Sequence, residues 1–240
     1  MAKKEILFEG TRYRLSYEMF QPHCEKVVLF LHGWGSNKES MKYAFSKTFP
    51  HCTHLYLDLP GFGDSSIEER VLNSQEYAAI VNAFLDALSI RPWMIVGHSF
   101  GGKVATLLHP EILVLLSSAG IVAPKSFKVR FKIALFKCFK PFFPKRFYRF
   151  FATKDVEGMS ETMYEILKRV VNEDFSDTFA KIRSRTFIFW GKEDKATPLL
   201  SGETIHTLIA GSRFFPLEGD HFFFLRNGVT IEKIMMESLG

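Results

Sequence analysis

Cysteine is scarce. The three present, Cys24, Cys52 and Cys138, are odd in number, widely scattered and without C-x-x-C spacing, which argues against a disulfide scaffold or a cysteine zinc site. Histidines 23, 32, 51, 54, 109 and 206 show no clustered metal-ligand spacing, so no catalytic metal and no cofactor are expected. Long apolar runs are missing too. The longest, Ile112 to Ala123, is interrupted by Ser117 and Ser118 and is too short to cross a bilayer. The first residues, Met1-Ala2-Lys3-Lys4-Glu5, are followed by further charges instead of an apolar h-region, which argues against a secretory signal and leads to an expected cytoplasmic location. With 240 residues there is room for one large domain with an inserted subdomain, and two full domains would be cramped.

What is present is β-branched and aromatic. Phe alone accounts for 26 residues. Two short strand-like runs between residues 5 and 20 flank Gly10-Thr11 and predict a hairpin. After it come continuous apolar runs: Lys26 to Leu31, Leu55 to Leu59, Trp93 to Val96, Ile112 to Leu116 and Thr186 to Trp190. Strands apolar on both faces belong inside a mostly parallel sheet covered by helices. Helix-like stretches lie between them, including Gln75 to Leu88 and Lys103 to Leu108, so β and α alternate and the fold class is α/β. The alternation breaks at Pro124 and resumes near Arg185, an interval too long for a crossover loop. It predicts a helical cap over 124–181, inserted into a core formed by 1–123 and 182–240.

Against this background one stretch stands out: Gly97-His98-Ser99-Phe100-Gly101, which fits G-x-S-x-G between a predicted strand and a predicted helix. A chain that turns from strand to helix with almost no loop strains the residue at the bend, and glycines two positions either side remove side chains that would collide. The serine hydroxyl is then pushed out at the sheet's edge. Beyond the strand ending at Trp190 comes Gly191-Lys192-Glu193-Asp194, and beyond the run Arg213 to Leu217 comes Gly219-Asp220-His221. The chain order is therefore Ser, Asp, His, as expected where the serine sits in such a strand-to-helix elbow. His32-Gly33-Trp34-Gly35 directly follows the strand Val27 to Leu31.

On these motifs the sequence resembles the α/β-hydrolase superfamily over nearly its whole length outside the cap. The resemblance implies Ser99 as nucleophile, Asp194 as acid and His221 as base. It also puts the backbone amides of Trp34 and Phe100 in an oxyanion hole, with their rings walling an acyl pocket. Glu193 is the competing acid, and the superfamily's G-x-x-D spacing favours Asp194. Serine at 99, where an aspartate would imply a dehalogenase or epoxide hydrolase, argues against both. Asp58, in Asp58-Leu59-Pro60-Gly61-Phe62-Gly63, resembles a family loop motif and takes a structural role. His98 is expected to face the structure below the turn.

Each residue also has a plainer reading. Ser99 could sit in an ordinary strand-to-helix turn, Asp194 could cap the turn before Pro198, and His221 could pack among Phe222, Phe223 and Phe224. Their joint occurrence in the right order favours catalysis.

Residues 125–154 carry ten Lys and Arg and no Asp or Glu, against a net charge of +5 for the whole chain, so the basic character is local. On a helix from Ser126 to Lys140, Phe127, Phe131, Ala134, Leu135 and Cys138 share one face while Val129, Ile133 and Phe136 lie opposite. Such a segment suits an anionic neighbour, an acidic carrier protein or an anionic membrane surface, with a solvated lid as the alternative. Nucleic acid is not expected, since no binding module accompanies the charges.

The whole resembles the biotin-pathway carboxylesterases. It leads to the expectation of a cytoplasmic serine carboxylesterase that cleaves a small-molecule acyl ester through an acyl-enzyme. Two alternatives stay open: a carbon-carbon bond hydrolase resembling the meta-cleavage-product enzymes, and a weakly active membrane-surface or protein-binding module on the same fold.

Overall fold

The computed structural model describes residues 1–21, 23–122 and 160–239. The basic helix expected over Ser126 to Lys140, Cys138 and most of the expected cap lie outside these residues. Eight strands form one sheet: β1 (Ala2–Phe8), β2 (Thr11–Phe20), β3 (Val27–Leu31), β4 (Thr53–Leu57), β5 (Met94–His98), β6 (Ile112–Leu116), β7 (Arg185–Gly191) and β8 (Arg213–Leu217), in the order β1-β2-β4-β3-β5-β6-β7-β8. The β1–β2 hairpin and the β2–β4 pair are antiparallel, and every other pairing is parallel. The fold is α/β, as the alternation of apolar runs predicts, with the mostly parallel sheet that the resemblance implies.

The described helices are α1 (Lys38–Phe45), α2 (Ser74–Ala87), α3 (Phe100–Leu107), α4 (Glu161–Val170), α5 (Ser176–Ala180), α6 (Leu199–Leu208) and α7 (Phe224–Leu239). They cover both faces because successive strand residues point to opposite sides. One register row, Tyr56, Phe30, Val96, Val114 and Phe187, belongs to a core shared with Met41 and Phe45 of α1 and Ile231 and Met235 of α7. The alternate residues Leu29, Leu55, Ile95, Leu115 and Ile188 belong to the opposite core with Tyr77 and Phe84 of α2, Val104 of α3 and Ile205 of α6. A full change of Leu or Phe to Ala in either layer removes about 2–5 kcal/mol. The described end of the expected cap, α4 and α5, joins this second layer through Met163, Ile166, Leu167 and Phe179.

Helix α3 begins at Phe100, three residues before the start that the sequence pattern suggests. Strand β5 ends at His98, so Ser99 alone separates strand from helix. A capping box on α2, with Asn73 and Glu76 each bonding the other's main chain, shows the more usual way a helix starts in this chain.

Candidate active site

The bend at Ser99 is strained. Ser99 holds φ 50° and ψ −113°, a conformation that costs about 1–3 kcal/mol for a residue bearing a side chain. Its neighbours are glycine for steric reasons that can be named. A methyl group built on Gly97 would stand 2.5 Å from the Gly101 carbonyl oxygen, and one on Gly101 would stand 2.4 Å from that of Leu31. Helix α3 therefore presses its first turn directly onto the ends of β5 and β3. The Ser99 amide donates to the Leu116 carbonyl at 3.1 Å, which holds the bend against β6.

The loop after β3 lies against this elbow. Gly33 is so close that a methyl there would be 3.1 Å from Ser99 Cβ. Ser36 N–H bonds the Gly33 carbonyl at 3.2 Å, closing a turn in which Gly35 takes φ 72°. That bond uses the Ser36 amide and not that of Trp34. The Phe100 amide belongs to the first turn of α3, where N–H groups have no intrahelical acceptor. The Trp34 ring meets the Phe100 ring edge-on at 5.5 Å and the Phe62 ring at 4.9 Å.

His32 anchors the loop from below. Leu59 N–H donates to its Nε2 at 3.1 Å, so the ring proton sits on Nδ1, which donates to the Gly33 carbonyl at 2.8 Å. Burial, outweighing the pull of Asp58, holds His32 below the ordinary imidazole range, in keeping with this neutral tautomer. Asp58 is fully buried and accepts from the amide and the Nζ of Lys38, at 2.7 and 2.6 Å. Lys38 also reaches Ser16 Oγ at 3.1 Å. The structural role expected of Asp58 is thus what the geometry gives.

Asp194 and His221 come from the loops after β7 and β8. The loops are zipped together: Lys192 N–H bonds the Leu217 carbonyl at 2.9 Å, and Glu193 N–H bonds that of Gly219 at 3.0 Å. Gly191 permits the approach, since a methyl there would be 2.1 Å from the Asp220 carbonyl oxygen. Asp220 Oδ1 accepts from the Phe222 amide at 2.8 Å, a local turn that presents His221 inward.

The result is a hydrogen bond of 2.7 Å between His221 Nδ1 and Asp194 Oδ2, with both side chains buried. Asp194 Oδ1 accepts from the amides of Ala196 and Thr197, at 2.8 and 2.9 Å, so this residue also caps its own turn. Thr197 Oγ1 stands 2.8 Å from Asp194 Oδ2, 3.3 Å from His221 Nδ1 and 3.2 Å from the Ser117 carbonyl. Burial pushes the Asp194 carboxyl up, but the His221 imidazole and the Thr197 donors outweigh it and hold the carboxyl below its usual value. Glu193, the competing acid, makes no such contact to His221, while its neighbour does.

Ser99 is joined to the pair through His98. The His98 ring lies 4.7 Å from that of His221, and its Nε2 donates to the His221 carbonyl at 2.9 Å. This is the orientation expected for a residue below the turn. Among the described residues no hydrogen bond links the Ser99 hydroxyl to His221. The hydrogen bonds of Thr197 and His32 escape the sequence reading because a threonine in a polar loop, or a histidine before glycine, shows its partner only once the loops converge. No group of three His, Cys, Asp or Glu able to hold a metal ion occurs among the described residues. No described helix is long and apolar enough to cross a membrane.

Residues 26–111, which span both the loop after β3 and the Ser99 elbow, match the family model described as alpha/beta hydrolase fold. A protein of Mycoplasma pneumoniae named "Putative esterase/lipase 2" is 31% identical over 110 residues, 44% of this chain and 40% of that protein. The match thus spans less than half of that relative. Among solved structures, an esterase from Exiguobacterium antarcticum superposes with TM-score 0.83 at 20% identity, covering 99% of both chains. A hydrolase from Pseudomonas aeruginosa gives 0.81 at 20% identity, covering 99% of this chain and 98% of the other. Sheet order, elbow, family match and the solved structures together show that this chain has the α/β-hydrolase fold.

Proposed function

We propose that the chain is a serine carboxylesterase that cleaves an acyl ester through an acyl-enzyme. The observation that carries the reading is the buried 2.7 Å bond from His221 to Asp194, set beside a serine strained into a strand-to-helix elbow. With its Nδ1 proton committed to Asp194, His221 keeps a bare Nε2 to act as base. A serine hydroxyl is a weak nucleophile at neutral pH and needs such a base.

In the proposed first step Ser99 Oγ bonds to the ester carbonyl carbon as its proton passes to His221 Nε2. The carbonyl π electrons move to oxygen, and the amides of Trp34 and Phe100 stabilise that oxyanion. Losing one such donor costs about 3 kcal/mol in related chemistry. The intermediate collapses, the C–O bond to the alcohol breaks, and His221 returns its proton to the leaving oxygen. Water then repeats the sequence on the acyl-Ser99 ester and releases the acid. Asp194 stabilises the imidazolium without taking the proton. Catalytic hydrogen bonds commonly tighten only with substrate in place, and this reading requires the Ser99 hydroxyl to come within bonding reach of His221 Nε2 when the ester binds.

The Trp34, Phe62 and Phe100 rings pack on one another beside the elbow and would offer apolar surface to an acyl chain, and the esterase among the structural relatives belongs to the same fold. Turnover of short p-nitrophenyl esters tests the reading, with Ser99→Ala as control. Hydrolysis that disappears in Ser99→Ala supports it, and undiminished turnover in that variant refutes it.

A further inference from the structure

His98 occupies a position that the reaction as described does not use. It is buried, with 1% of its surface exposed. The His221 carbonyl can only accept, so the 2.9 Å bond between them places a proton on His98 Nε2 and leaves Nδ1 bare. Nδ1 is buried and has no hydrogen-bond partner among the described residues. In front of it stands Gly33, where a methyl would be 2.7 Å from Nδ1. The ring is held by Phe222 at 5.3 Å and Phe224 at 4.5 Å, besides the His221 ring at 4.7 Å.

One side chain therefore touches three parts of the site. It directly precedes Ser99, packs against the loop carrying Trp34, and bonds the main chain of His221. A purely apolar residue would fill this space without burying a bare nitrogen, an arrangement that ordinarily costs stability. What histidine adds is the donor to the His221 carbonyl. We propose that His98 is a positioning residue for the base: its Nε2–H fixes the His221 main chain, and so the approach of the imidazole to Ser99. This rests on the reading of Ser99 and His221 as nucleophile and base.

Charge supports the assignment. Burial first, and then the neighbouring His221, holds His98 well below the ordinary imidazole range. A ring that stays neutral does not oppose the imidazolium that forms on His221, whereas a second cation at 4.7 Å would.

Two variants of nearly equal side-chain length separate the donor from the volume. His98→Gln keeps an N–H that can reach the His221 carbonyl, and His98→Met does not. Near-UV circular dichroism and thermal melting confirm folding, and kcat and KM are measured on one p-nitrophenyl ester. His98→Met is expected to lower kcat about a hundredfold, the cost of a small misplacement of reacting groups, with KM unchanged. His98→Gln is expected to recover most of that loss. Equal kcat losses in the two variants, a loss confined to KM, or wild-type kcat in His98→Met would overturn the proposal. His98→Leu supplies a second donor-free side chain should the methionine variant not fold. Undiminished turnover in Ser99→Ala would instead remove the reading on which the proposal rests, and is distinguishable because it does not depend on residue 98.

Discussion

His221 Nδ1 and Asp194 Oδ2 are 2.7 Å apart across 27 residues of chain, with Thr197 Oγ1 within 3.3 Å of the first and 2.8 Å of the second. The carboxylate thus has two jobs, one oxygen organising its own turn and the other meeting the imidazole. Loss of its charge should be felt in both stability and rate.

The stability effect has a defined sign. The folded-state carboxyl of Asp194 titrates below its ordinary value, so the unfolded chain binds the proton more readily. Its contribution is present above the unfolded value, about 4, and is lost as pH falls through the lower folded value. Urea denaturation at a series of pH values should show wild-type stability falling over this acid window, and Asp194→Asn should flatten that part of the curve. At neutral pH the same variant should lose about ten-thousand-fold in kcat, because an amide cannot enforce the same tautomer.

A second expectation concerns strain. Ser99 sits at φ 50°, where glycine alone is at ease. Ser99→Gly should be inactive yet more stable than Ser99→Ala by about 1 kcal/mol. Thermal melts of the two inactive chains check this, and equal stability would mean that the elbow stores little strain.

Lys103 supplies a third. It lies on α3 with 2% of its side chain exposed, 2.9 Å from Glu173 Oε2 and 2.6 Å from the Val170 carbonyl. Its ammonium faces the Phe175 ring at 4.4 Å. Glu173 also accepts from the amide and hydroxyl of Ser74 at the start of α2. Burial pushes the Lys103 ammonium down, against the opposing pull of Glu173. Removing one partner strands the other charge, so Lys103→Met alone should cost about 3 kcal/mol. Adding Glu173→Gln to it should recover part of that loss, a coupling measured by a double-mutant cycle in urea.

Much of the frame is legible in the chain because burial on both faces leaves a direct mark. The runs around Phe30, Val96, Val114 and Phe187 each hold four or five consecutive apolar residues, and each becomes an interior strand of the sheet. The Ser99 elbow is legible because the collision that Gly97 avoids, with the Gly101 carbonyl, lies only four residues along the chain. Its helix begins earlier than the pattern indicates, since Phe100 to Gly102 show no helical period of their own and are set by the packing of α3 against Leu31 and Ser118. The Lys103–Glu173 pair is invisible in sequence for a different reason. A lysine within an apolar helix reads as a solvated edge until a segment 70 residues away arrives to meet it. Thr197 is hidden likewise, because its hydroxyl acquires a purpose only when the loops after β7 and β8 come together.

The account stands on an activated hydroxyl at Ser99, and reaction with a fluorophosphonate followed by peptide mass mapping measures that activation without assuming a substrate. The wild-type chain should gain one adduct, located on Ser99, at a rate that collapses in His221→Ala and in Asp194→Asn. An adduct elsewhere, no adduct at all, or labelling of folded His221→Ala as fast as wild type would contradict it.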